Sequence, residues 1–176
     1  MIPIRTAVLA DITGLHHLIE RAYRGDSARQ GWTHEADLLG GQRIDVAGLT
    51  ALINDPAQRI LIAQTDAGII GCVQITAKNA TTAYLGLLSV DPNFQADGLG
   101  RLLIGAAEDV ARLAFGAHKI EMTVIRQRTE LIAYYQRRGY ALTGEVRPFP
   151  YGDERFGLPI TRALSFVVLE KCLEMI

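Results

Sequence analysis

The residues best placed for chemistry lie in two stretches, a strand-to-helix turn near the middle of the chain and a tyrosine-bearing segment after it. The first covers residues 85–101, Leu-Gly-Leu-Leu-Ser-Val-Asp-Pro-Asn-Phe-Gln-Ala-Asp-Gly-Leu-Gly-Arg, where an apolar run passes through a short loop into a helix opened by Gly98 and Gly100. Without a Cβ, these glycines let a ligand come close to main-chain N–H groups. The first N–H groups of a helix lack intrahelical acceptors and lie at the positive end of its dipole, so together they favour a phosphate. A dinucleotide-binding turn would carry a third glycine at position 103, where Leu103 stands. A Walker-type loop would continue with Lys and Ser or Thr, where Arg101 and Leu102 stand. Both common phosphate loops are disfavoured.

The spacing Gln95-x-x-Gly98-x-Gly100 after a Val-Asp-Pro strand end resembles the acyl-coenzyme A signature of the GNAT superfamily of N-acetyltransferases. Downstream, Leu131-Ile132-Ala133-Tyr134-Tyr135-Gln136-Arg137-Arg138-Gly139-Tyr140 resembles that superfamily's later motif, a helix with Tyr three residues before an Arg or Lys, then Gly and an aromatic. Two motifs in this order, one helix and one strand apart, are far more specific than either alone. The resemblance implies acetyl-CoA as acyl donor, held by Leu88, Ser89, Val90, Gln95, Ala96, Asp97, Gly98, Leu99, Gly100, Arg101 and Arg128. It also implies that the strand before the turn and the strand after its helix splay apart around the pantetheine arm. The backbone of residues 88–90 would then pair with the pantetheine amides as with an added half-strand.

Acyl transfer from a thioester to an amine needs a neutral amine, a place for the tetrahedral oxyanion and a proton for the departing thiolate. Tyr135 is the candidate donor, because a phenol with a pKa of about 10 stays protonated at neutral pH yet can protonate a thiolate whose acid has a pKa of about 8.5. By itself it also reads as one of two neighbouring tyrosines packed in an amphipathic helix, with Tyr134 as core or cleft wall, and the glycine turn upstream is what favours the catalytic reading. A backbone N–H within residues 88–90 would meet the oxyanion. Gln95 and Arg101 flank the turn and suit a pyrophosphate, although Arg101 also reads as a solvated helix charge.

Two positions depart from the family pattern. Many members carry Glu in the strand before the turn as a general base, where this chain has Gly86, Leu87, Leu88 and Ser89. A water chain to His34, Glu35 or Glu121 could serve instead, as could capture of the minor neutral amine, and each of those three also reads as a surface residue. The Asn often found seven residues before the tyrosine is replaced by Arg128, which either alters the cofactor contact or places a guanidinium near the coenzyme A phosphates. Acceptor choice is expected from Trp32, His34 and Glu35 and from the late loop containing Phe149 and Tyr151. Aromatics beside arginines suit a small amine or amino acid, or a peptide end; they also suit a self-packed loop or a homodimer contact.

At 176 residues and 19.3 kDa the chain fits one domain, residues 1–176. A net charge of −1 supplies no global field for nucleic acid or an anionic membrane. No stretch reads as a signal peptide or a bilayer span, so the cytoplasm is the expected location. Cys72 and Cys172 form no C-x-x-C pair and read as reduced thiols outside both motifs, which argues against an acyl-cysteine route. His16 and His17 are adjacent and cannot share a helical face, while His34 and His118 lie far off, so no metal centre is expected.

These residues must be positioned by elements that the hydrophobic period predicts. A strand is expected over residues 2–8, then a helix capped by Asp11 with Ile12, Leu15, Ile19, Ala22 and Tyr23 on one face. Residues 25–41 read as a surface loop or short helix, and a second helix runs from about 45 to 54. Residues 59–65 and 68–77 form a hairpin, and 82–90 lead into the glycine turn. From Leu99, apolar residues recur at three and four up to Ala114; then come a strand at 119–125, a helix capped by Thr129 and ended by Gly139, and strands at 140–146 and 164–173. The order β-α-α-β-β-β-α-β-α-β-β predicts an α/β fold, with a mixed sheet and helices on both faces. The GNAT resemblance implies that this sheet is twisted and mostly antiparallel, with splayed central strands. The expected activity is transfer of acetyl from acetyl-CoA to a small-molecule amine. The alternatives are a catalytically silent acyl-CoA-binding module and a protein lysine or N-terminal acetyltransferase.

Overall fold

Strands β3 (Gln58–Thr65) and β4 (Gly68–Ala77) are apolar on both faces, so helices must cover the sheet on both sides. The computed structural model, which describes residues 2–24, 38–40 and 43–174, shows how this is done. Helix α1 (Ile12–Tyr23) and helix α2 (Val46–Asn54) cover Ile60, Ile62 and Cys72 with Leu15, Leu18, Ile19 and Leu49. Helix α3 (Leu99–Leu113) covers Leu61, Ala63, Val73 and Ile75 on the other face, and helix α4 (Thr129–Gln136) adds Leu131 and Tyr135 to the same core. The buried stripe Leu99, Leu103, Ile104, Ala107 and Ala111 repeats at the helical period, and each fully buried leucine contributes about 1.5–3 kcal/mol.

The remaining strands are β1 (Ile4–Thr6), β2 (Leu39–Gly40), β5 (Thr82–Val90), β6 (Lys119–Ile125), β7 (Ala141–Pro148), β8 (Leu158–Pro159) and β9 (Ser165–Cys172). Seven of the nine described strands form one sheet in the order β1-β3-β4-β5-β6-β9-β7, mixed and mostly antiparallel as the family resemblance implies, and β2 and β8 form a separate pair. The one parallel contact in this sheet joins β5 to β6, and it lasts for three residue pairs, ending at Tyr84 opposite Glu121. Beyond that point the two strands part.

On its other side β5 stays bonded to β4 but slips: Cys72 pairs with Ser89 and Gln74 with Gly86, so Leu87 and Leu88 oppose the single residue Val73. Leu87 sits at φ 49°, a left-handed conformation that disfavours a residue with a Cβ. The bulge bends the end of β5 away from β6.

Several boundaries differ from expectation for physical reasons. The first strand is only Ile4–Thr6, because a 3₁₀ turn at Leu9–Asp11 intervenes. Asp11 does not cap α1. Its carboxylate accepts instead from the Val8 N–H at 2.8 Å and the Arg5 guanidinium at 2.8 Å. Thr129 is the first helical residue of α4 rather than its cap. Residues 39–40 and 158–159 pair as a two-stranded ribbon over Ile125, Phe149 and Leu164, a long-range contact that no local pattern announced.

Candidate active site

The parted strands and the glycine turn make two adjoining cavities. The turn itself is a 3₁₀ segment, Pro92–Asp97, ended by Gly98 at φ 73° and ψ 7°, from which α3 starts directly. Asp91 braces the turn by accepting from the Asn93 N–H at 3.0 Å and from Arg21 at 2.6 Å. The left-handed conformation at position 98 is one that glycine adopts without steric cost. At position 100 the reason for glycine is space: a Cβ there would lie 2.6 Å from the Tyr134 hydroxyl oxygen. The two motifs are therefore in direct contact, the bare Cα of one receiving the phenol of the other.

The first cavity, about 180 Å³, runs from Gly98 and Gly100 past Val90, Gln95, Tyr134 and Arg138. The second, about 190 Å³, lies in the gap between β5 and β6, with Arg43, Tyr84, Gly86, Thr123 and Phe166 in its wall. Tyr23, Leu88, Arg128, Leu131 and Tyr135 line both. Tyr135 is 6 % exposed, and its ring meets those of Tyr134 and Tyr140 edge-on at 5.5 and 6.0 Å. Burial pushes its phenol well above the ordinary tyrosine range, and the neighbouring Tyr23 adds to the effect. A neutral, proton-bearing phenol thus stands where the cavities meet.

Arg138 stacks on Tyr134 with its guanidinium carbon 3.4 Å from the ring centroid, and its Nη1 donates to the Tyr134 carbonyl at 2.8 Å. The Tyr23 hydroxyl donates to the Leu88 carbonyl, and Arg43 lies over the Tyr23 ring at 5.3 Å. The Tyr84 hydroxyl and the Thr123 Oγ1 are 2.7 Å apart, a bridge across the strands where their backbone pairing ends.

The expected cofactor residues divide by role. Leu88, Val90, Gln95, Gly98, Gly100 and Arg128 line the first cavity. Gln95 also spends one amide hydrogen on the Val90 carbonyl at 3.2 Å, so it braces the strand end. Ser89 is 1 % exposed and donates to the Leu87 carbonyl at 3.1 Å; its side chain is absent from both linings because alternation turns it to the Cys72 face. Leu99 is 1 % exposed and belongs to the core beneath α3. Arg101 faces a separate groove with Arg137, Arg138 and Lys171. Ala96 and Asp97 close the 3₁₀ turn, and their side chains lie outside the described residues.

Of the acceptor candidates, Trp32, His34 and Glu35 lie outside the described residues. Phe149 is buried against Leu39, Ile125 and Leu164, and Tyr151 accepts from the Leu164 N–H at 2.7 Å, so both organise the late loop. Phe149 reaches the second cavity only through Phe166, 5.5 Å away ring to ring. Glu121, offered as a base, is 5 % exposed and held by Lys78 at 2.7 Å and Arg147 at 2.9 Å. Burial would raise its pKa, but hydrogen bonds from Arg147 and Lys78 outweigh that and leave it below the usual glutamate range. A carboxylate so stabilised in its charged form is a weak base. Burial pushes the Cys72 thiol up to about 12, which leaves it inert.

Local sequence reasoning gave Tyr134 as core or cleft wall, and it does line the first cavity, but it missed Tyr23, Arg43, Tyr84, Thr123 and Arg138 as cavity residues. Tyr23 had a usable signal, since a phenol at the end of an apolar helical face needs a hydrogen-bond partner. The others converge only through the topology.

A mixed sheet parted at its parallel pair, with a glycine-turned helix start at the mouth, defines the acetyl-CoA-dependent acetyltransferase class of folds. The acetyltransferase (GNAT) family matches residues 14–140, and the chain belongs to that family. Acetyl-CoA is the family's acyl donor. Among solved structures, yncA from Salmonella typhimurium, with its cofactor acetyl-CoA, is 18% identical with a TM-score of 0.72 over 100% of this chain and 96% of its own. The ribosomal-protein-S18-alanine N-acetyltransferase from Escherichia coli is 15% identical, TM-score 0.72, over 100% and 96%. The spermidine/spermine N-acetyltransferase from Vibrio cholerae is 17% identical, TM-score 0.67, over 98% and 92%. At these identities the likeness is one of fold. No protein of curated function matches the sequence. No described helix is long and apolar enough to cross a membrane, and no described group of three or more His, Cys, Asp or Glu is placed to hold a metal ion.

Proposed function

We propose that the protein is an N-acetyltransferase that moves acetyl from acetyl-CoA directly to the primary amine of a small-molecule or amino-acid-like acceptor. One observation carries the reading: two cavities of different lining share a wall that holds two buried phenols, and since the Tyr23 hydroxyl already donates to the Leu88 carbonyl, Tyr135 is the one left to serve the reaction. The first, with its glycine turn at one end, suits a long chain ending in a phosphate anchor. The second, walled by Tyr23, Tyr84, Thr123 and Phe166, suits a compact acceptor with polar groups.

Bound acetyl-CoA supplies an acyl thioester whose carbonyl carbon the amine attacks. In this reading Tyr135 gives its proton to the departing sulfur and is reprotonated by the proton that the amine releases, so no net proton is lost from the site. Main-chain N–H groups of residues 88–90 would meet the oxyanion as it forms. The raised pKa of Tyr135 keeps the phenol protonated before attack but makes it a weaker acid, so donation depends on the same burial raising the proton affinity of the departing thiolate. Arg128, which lines both cavities, sets a positive charge beside the reacting groups.

Incubation with acetyl-CoA and a library of amines and amino acids, read as free-thiol release and acceptor mass gain, tests the proposal. Turnover confined to peptides or protein termini would move the assignment to a protein acetyltransferase. Tight acetyl-CoA binding without turnover of any amine would make the chain a binding module.

A further inference from the structure

The wall of the second cavity carries two positive charges, those of Arg43 and Arg128, and, among the described residues, no negative one. Gly86 lines it as well, so the strand segment that carries Glu in many family members puts no carboxylate there. Glu121, opposite Tyr84 in the sheet, is already paired with Lys78 and Arg147. The fold fixes where Arg43 stands. Glu20, in the last turn of α1, accepts from the main-chain N–H groups of Arg43 at 2.6 Å and Ile44 at 3.3 Å, which ties the approach to α2 onto α1. The Arg43 guanidinium lies over the Tyr23 ring, and that ring is itself held by its hydroxyl on the Leu88 carbonyl. Position separates the two cations: Arg128 lines both cavities, whereas Arg43 lines the second alone. Arg128 therefore stands where the reacting groups meet, and Arg43 stands on the acceptor side.

We propose that the acceptor is an amine that also bears a carboxylate, and that Arg43 takes this carboxylate inside the second cavity. The inference rests on the acetyltransferase reading of the site and narrows it to amino acids in preference to polyamines. A carboxylate matches the planar fork of a guanidinium through parallel N–H···O bonds, which are stronger than bonds to a neutral oxygen. Arg43 is half-buried, so its field is less screened by water than that of an open surface charge. A polycation entering the same cavity would meet two like charges and, among the described residues of the wall, no carboxylate to offset them.

Matched acceptors test it on the unaltered protein: an amino acid, its carboxamide and the amine left when the carboxylate is removed, each followed as free-thiol release with acetyl-CoA. The amino acid is expected to show a kcat/KM at least about tenfold above either of the others, carried mainly by KM. The carboxamide is the stringent control, because its amine is less basic and more of it is neutral at a given pH. Arg43→Gln should remove most of the preference for amino acid over carboxamide, and Arg43→Lys should restore part of it. Loss of packing on Tyr23 alone would slow both acceptors alike and leave their ratio where it was. Equal use of the three acceptors, or faster use of spermidine, overturns the inference and leaves the acetyltransferase reading standing. A preference that survives Arg43→Gln overturns the assignment to Arg43. Absence of turnover with every amine overturns the acetyltransferase reading and this one with it.

Discussion

The two cavities that meet at Tyr135 are built on different plans. The first has one wall of contiguous chain, where the end of β5, a 3₁₀ turn and the start of α3 follow one another in sequence and glycine at 98 and 100 clears the approach, and a facing wall that includes Tyr134, Tyr135 and Arg138. The second is made by side chains from α1, β5, β6, β9 and the approach to α2, brought together by the fold. A ligand whose anchor is a phosphate can be held by main-chain N–H groups. An acceptor must be told from its competitors, and that requires side chains whose identity varies one at a time.

Substitutions can break this contrast. The largest expected effect is at Gly100: Gly100→Val drives a branched side chain into the Tyr134 hydroxyl, and acetyl-CoA affinity should fall by more than about a hundredfold with the fold retained by circular dichroism. Retained affinity would remove the turn from the cofactor site. Next, Tyr135→Phe should lower kcat by about 10²–10⁴-fold while the KM for acetyl-CoA changes little, because only the proton is deleted. Unchanged kcat under chemistry-limited conditions would end its role as donor.

A smaller effect sharpens the division between the cavities. Thr123→Val removes the bridge to Tyr84, and the acceptor KM should rise by up to about tenfold without a change in acetyl-CoA affinity. An equal effect on both ligands would mean that the cavities are not separable. The smallest effect lies at the edge of the second cavity, where Glu121 stands opposite Tyr84. Glu121 has a lowered pKa in the folded state, so its contribution to stability is full above the unfolded glutamate range, about pH 4.3, and is lost as the pH falls below it. Glu121→Gln should flatten the acid limb of a thermal-midpoint curve between about pH 5 and pH 3, and an unchanged limb would assign that sensitivity to other carboxylates.

The same contrast explains what could be read from the chain beforehand. The glycine turn was legible because its chemistry depends on local spacing, from Val90 through Arg101. Helix α3 was legible from its three-and-four period, and the hairpin of β3 and β4 from the turn between two apolar runs. The bulge at Leu87 was not, since it exists only as a register slip against β4. Nor was the bridge of Tyr84 to Thr123, which depends on two strands 39 positions apart lying side by side. Arg101 was read as flanking the turn, but its face on the helix directs it to the outer groove. Phe149 and Tyr151 were read as acceptor contacts or as parts of a self-packed loop because they are aromatic and in a loop; Phe149 is buried within that loop's core and Tyr151 accepts from the Leu164 N–H.

The three residue pairs that join β5 to β6 have a mechanical consequence. Four strands on one side and three on the other behave as two leaves hinged along a short spine, each with its own antiparallel hydrogen-bond ladder. A molecule wedged into the opening touches both leaves at once and acts as a clasp. At a hundred times its dissociation constant such a ligand adds about 2.7 kcal/mol to stability. Much of that gain should register as slowed amide exchange along the hinge, in leaves that fluctuate more independently when the opening is empty.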